Sequence, residues 1–127
     1  MTNWTTLPHE NLIAYQVARE LLVLVRQANI HDASLRDQAL RAANSACLNI
    51  AEASGRQAPA DKARVYAIAR GEGCEAAAAI DIAAAAGECN EDAARTRGRG
   101  IAAALCAPQR AGAEVRDFSR LENENGY

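Results

Sequence analysis

Residues 35–56 read LRDQALRAANSACLNIAEASGR, and their polar positions fall into a pattern. At about 100° per residue on a helix, Gln38, Arg41, Ser45, Asn49, Glu52 and Arg56 share one narrow stripe. Leu40, Ala43, Cys47 and Ile50 take the opposite side. The segment is therefore an amphipathic helix. Its polar face mixes amides, a hydroxyl and both signs of charge, unlike a plain Lys/Glu solvent coat.

The same reading gives four helices and a tail. Pro8 precedes a first helix over residues 9–29, and residues 29–34 form a short polar break containing His31 and Asp32. The second helix covers residues 35–54, with Gly55 as its stop. Residues 57–60, with Pro59, link it to a third helix that starts near Asp61, runs to residue 86 and ends at Gly87. Asn90 caps a fourth helix, Glu91 and Asp92 sit favourably in its first turn, and Pro108 ends or kinks it. Residues 1–120 thus make one domain, and residues 121–127, LENENGY, a flexible polar tail. Short links make neighbouring helices antiparallel, so the expected architecture is all-α, an up-down-up-down bundle.

The first helix is apolar over most of its circumference. Gln16, Arg19, Glu20, Arg26 and Gln27 occupy about a third of it, and Val23 interrupts even that strip. A helix on a monomeric bundle needs an apolar arc of little over 100°. Either a second subunit covers the excess, or the helix is central to its own bundle. The third helix sets Gly71 and Gly73 among alanines. Each mid-helix glycine costs about 1 kcal/mol relative to alanine, so a close backbone approach is expected there, with drift in an alanine-rich composition as the alternative.

Composition agrees. The 127 residues are half hydrophobic but only 4% aromatic, and alanine dominates. Small side chains bury little area each, so helices must approach closely. The net charge of −2 argues against a general polyanion binder, and Lys62 is the only lysine among 14 cations. Arginine suits paired, partly buried contacts better than lysine does.

No run of 18 apolar residues offers a membrane span, and MTNWTTLPHE lacks a basic region followed by an apolar core. We therefore expect a cytoplasmic protein with no membrane partner. Cys47, Cys74, Cys89 and Cys106 are irregularly spaced without a Cys-x-x-Cys pair. Their even number would suit two disulfides in a secreted protein, but in a helical chain without a signal peptide four reduced thiols are the expectation.

Chemistry is sparse. His9 and His31 are the only histidines and belong to helix edges or loops, where surface or capping roles suit them. No spacing suits zinc or iron, no phosphate-binding loop or nucleophile elbow occurs, and Gly71-Glu72-Gly73 is no dinucleotide fingerprint. No catalytic residue, metal or cofactor is expected. Two groups remain. The stripe of Gln38, Arg41, Ser45, Asn49, Glu52 and Arg56 suits an inter-helix or inter-subunit network, with a ligand-binding or nucleic-acid role as the alternative. In it Asn49 faces Glu52 three residues on, and Glu52 precedes Arg56 by four, the favourable order. Arg41 and Glu52 lie too far apart to pair, so each should meet another helix or subunit. Arg95, Arg97 and Arg99 place three cations in five residues. They could track phosphate, yet Glu88, Glu91 and Asp92 stand upstream and no aromatic interleaves for base stacking.

Three segments carry a resemblance. HENLIAYQVAREL at residues 9–21, QALRAANSACLNIAEASGR at residues 38–56 and IARGEGCE at residues 68–75 resemble the four helix bundle protein family, also described as the 23S rRNA intervening-sequence protein family. N-I-A-E followed by G-R is the specific part. The family's usual glycine after N-I-A-E is Ala53 here, and the serine of its Gly-Ser pair is Glu72. The resemblance implies an antiparallel four-helix bundle assembled as a cyclic homopentamer, and it supplies no enzymatic activity, since the family has no established one. A more distant likeness of fold is to the pentameric accessory protein of diversity-generating retroelements, which works with a reverse transcriptase. The expected function is therefore a self-assembling interaction or scaffold module. An RNA- or single-stranded-DNA-binding accessory protein is the alternative.

Overall fold

A computed structural model describes residues 7–10, 12–89 and 100–101. Three helices account for most of them: α1, Ile13–Ala28; α2, Ala33–Gly55; and α3, Pro59–Ala85. No strand occurs among the described residues. The expected fourth helix from Asn90 to Pro108 and the tail over 121–127 fall outside them, apart from Gly100 and Ile101. Both of these are helical, and Ile101 packs half-buried against the core.

The core reveals the direction of each helix. One cluster joins Leu21, Leu24, Val25 and Ala28 near the end of α1 to Ala39, Ala42 and Ala43 early in α2 and Ala76, Ala79, Ile80 and Ala83 late in α3. The other joins Ala14 and Ala18 early in α1 to Cys47, Ile50 and Ala53 late in α2 and Val65, Tyr66 and Ala69 early in α3. Starts meet ends in both, so consecutive helices run antiparallel. Among the described residues Leu21, Ile30, Ile50, Ile80 and Val25 are the largest side chains shut off from water, and most of the remaining core is alanine. No polar or charged side chain is buried among the described residues.

Four boundaries correct the sequence reading. α1 begins at Ile13, four residues late, because Pro8 to Glu10 form a turn first. α2 begins earlier than residue 35, since Asp32 belongs to the helix as its N-cap. Its carboxylate accepts from the Leu35 N–H at 2.8 Å. α3 likewise starts at Pro59, whose missing N–H costs nothing at a first helical position. At the other end of α2, Gly55 is the last helical residue, and the extended backbone of Arg56 ends the helix.

Asn29, with φ of 48°, closes α1, and Gly87, with φ of 71°, follows α3. The backbone N–H of His31 donates to the Glu88 carbonyl at 2.8 Å, tying the α1–α2 link to the end of α3.

The apolar excess of α1 is taken up mostly within the chain. Ile13, Tyr15, Val17 and Leu22 are half-buried, and Val23 alone of its large apolar residues stays exposed. The expected close approach fails at Gly71, where nothing lies within 4 Å of where a Cβ would stand. Gly71→Ala should therefore raise stability by about 0.5–1 kcal/mol through helix propensity alone. Urea denaturation reads this directly, and a lower midpoint would show that the site is filled.

Candidate functional site

The polar stripe of α2 faces outward because Ala39, Ala42, Ala43, Ala46, Cys47, Ile50 and Ala53 all turn inward. Gln38, Arg41 and Glu52 are exposed, whereas Ser45, Asn49 and Arg56 are half-buried. The Asn49 side-chain amide donates to the Ser45 carbonyl at 2.9 Å and to its hydroxyl at 3.0 Å. Asn49 and Ser45 thus satisfy each other one turn apart on the helix. Arg41 has no ion-pair partner among the described residues.

The lower half is a chain of alternating charges. Arg56 pairs with Glu52 through one guanidinium nitrogen and reaches Asp61 Oδ2 at 3.0 Å with the other. Arg64 then holds Asp61 Oδ1 from Nη2 at 3.0 Å and Nε at 3.3 Å. Glu52, Arg56, Asp61 and Arg64 therefore run from α2 around the turn onto α3. Glu52 finds its partner on its own helix, contrary to the expectation of another helix or subunit. Arg56 makes the link between helices.

Electrostatics follow the contacts. Hydrogen bonding from Arg64, with the Arg56 charge nearby, holds the Asp61 carboxyl below its ordinary value against a desolvation effect. Hydrogen bonding to Glu52 and the Asp61 charge push Arg56 higher still. The lowered Asp61 value means its contribution is present above the usual carboxylate pKa and lost as pH falls through the folded value. Glu52 and Arg64 are exposed and Arg56 and Asp61 only half-buried, so water screens the chain and it is a small staple of the helical hairpin.

A second grouping lies at the start of α1. His9 meets the edge of Tyr15 with ring centroids 4.7 Å apart, and Arg19 stands 5.9 Å above the Tyr15 ring. His31 is exposed. Burial pushes the Cys47 thiol up, with the Arg19 charge opposing, so it stays protonated and is a poor nucleophile. An open groove runs beside α1 between Gln16, Arg19, Val23 and Ile101. No group of three potential metal ligands occurs among the described residues, and none of their helices is long and apolar enough to cross a membrane.

The cysteines depart from four reduced thiols. Cys47 is a buried thiol and Cys89 a half-buried one whose Sγ donates to the Ile80 carbonyl, but Cys74 is disulfide-bonded. Irregular spacing along the sequence says nothing about which sulfurs meet in space. In the unreduced native protein iodoacetamide should modify half-buried Cys89 first, Cys47 only on unfolding, and Cys74 only after a reductant. Peptide mass spectrometry checks the order, and early labelling of Cys74 would contradict it.

Leu48 is the site residue that the sequence reading missed. It is 70% exposed in the middle of the stripe, one turn from Asn44, Ser45 and Glu52. Its signal was an apolar residue interrupting a polar arc. Arg95, Arg97 and Arg99 lie outside the described residues.

Residues 10–100 match the family described as 23S rRNA-intervening sequence protein. No individually curated protein matches the chain.

Proposed function

We propose that this chain, which belongs to the 23S rRNA-intervening sequence protein family, is a non-enzymatic cytoplasmic scaffold that assembles with copies of itself. In this reading a fourth helix from Asn90 completes an antiparallel bundle, and five bundles close into a ring. The observation that carries it is Leu48. A large apolar side chain held in water, flanked by the satisfied amide of Asn49 and an ion pair, has the anatomy of an interface anchor inside a polar rim. Gln38, Arg41, Ser45, Asn49, Glu52 and Arg56 then set the register of the contact.

Light scattering on a sizing column tests the ring. With a chain of 13.5 kDa the expected mass is about 68 kDa, and a monomer at micromolar concentration would sink the reading. Asn49→Ala with Glu52→Ala should lower stability by no more than about 1 kcal/mol, because its hydrogen bonds are local and its ion pair exposed. The same variant should lose ring mass. If mass and melting temperature both stay unchanged, the stripe has no assembly role.

The second reading rests on Arg95, Arg97 and Arg99. Five copies of that cluster on one ring would multiply a weak phosphate contact. Gel-shift titration with structured RNA and single-stranded DNA tests it. Salt-sensitive binding that disappears in the triple alanine variant supports this reading, and no binding near 50 mM salt removes it.

A further inference from the structure

α3 carries a solvent-facing stripe of its own that no other described residue covers. Arg64, Ile68, Gly71 and Glu75 recur at steps of four, three and four, so they form one stripe along the helix. All four meet solvent: Ile68 is 43% exposed, the Arg64 side chain 59%, and Gly71 and Glu75 are exposed. Among the described residues, the open space around Gly71 gives its glycine no packing reason.

The stripe is complementary to itself. Suppose two copies of α3 run antiparallel with Ile68 of one opposite Gly71 of the other. Gly71 of the first then stands opposite Ile68 of the second, so each branched side chain enters the notch left by a glycine. One turn further out, Arg64 stands opposite Glu75 at both ends. In heptad terms Ile68 and Glu75 share one seam position and Arg64 and Gly71 the other, which is the spacing two packed helices require. A parallel pairing would instead oppose Arg64 to Arg64 and Glu75 to Glu75, so charge selects the antiparallel arrangement. Asp61 occupies two of the five N–H donors of Arg64, which leaves others for a carboxylate across the seam.

The geometry points to a second copy of this chain as the occupant, with two α3 helices crossing a two-fold axis at Ile68 and Gly71. This contact uses a different helix from the α2 stripe and does not rest on the ring. It is isologous, whereas a ring needs head-to-tail contacts, so the two can coexist. One helix pair makes a small interface, and the association should be weak and concentration-dependent.

Sedimentation equilibrium from about 5 to about 200 µM is the test. The mass should double as concentration rises: from 13.5 kDa to about 27 kDa for a single chain, or from about 68 to about 135 kDa for a ring of five. Arg64→Glu or Glu75→Arg alone should abolish the doubling. The two reversals together should restore it, which a purely structural role for either residue would not do. Gly71→Leu should fold, judged by helical circular dichroism, and stay undoubled, while Ile82→Ser, outside the contact, should still double. Absence of doubling at the highest concentration, or doubling that survives either single reversal, overturns the inference. A mass of about 27 kDa removes the ring and keeps this contact; a ring of about 68 kDa that never doubles does the reverse.

Discussion

Truncating Ile50 to alanine should destabilise the domain by about 3–4 kcal/mol. Ile50 has no exposed surface, and its cluster otherwise contains mainly Ala14, Ala18, Cys47, Ala53, Val65, Tyr66 and Ala69. Alanine neighbours have no rotamers with which to fill a void. The cavity should persist, and lost contacts add to lost transfer free energy. A domain of this size has roughly 5–15 kcal/mol in total, so the melting temperature should fall by about 10–15 °C. Urea denaturation followed by circular dichroism measures the effect. A loss below about 1 kcal/mol would show that the helices close over the gap.

The helices were legible because punctuation and period agreed. Asn29 and Gly87 end helices by adopting left-handed backbone, a property of residue type. Asp32 and Pro59 were read as linker for the same kind of reason. Each is a poor interior residue, yet each serves the first turn, where the backbone has donors to spare. The family was legible too. The N-I-A-E segment sits on α2, inside the matched residues 10–100.

The site divides along the same line. Glu52–Arg56 could be read from sequence because four residues make one turn of helix. Arg56–Asp61 could not, since it depends on how the chain turns between α2 and α3. Leu48 and the α3 stripe were hidden for a further reason. Periodicity says which residues share a face but not which face the neighbouring helices leave uncovered. For α1 the packed chain answered that question with burial, and for Leu48 with exposure.

The opposite substitution, Ala43→Leu, should cost about 1–3 kcal/mol, through strain instead of a void. Ala43 is fully buried in α2, in the cluster that also holds Ala39, Ala42, Ala76, Ala79, Ile80 and Ala83. Helices that meet through alanine approach closely, and three more heavy atoms fit only if α2 and α3 separate. Separation would also strip contact from Leu21 and Val25, which complete the cluster. The strain should be relieved in part when volume is removed nearby. Ile80→Ala alone should be destabilising, and Ala43→Leu with Ile80→Ala should be more stable than the sum of the two losses by about 1 kcal/mol or more. The sign of that coupling decides the question. Strict additivity would mean that the two side chains do not share space, and that the alanine contact between α2 and α3 is looser than the structure shows.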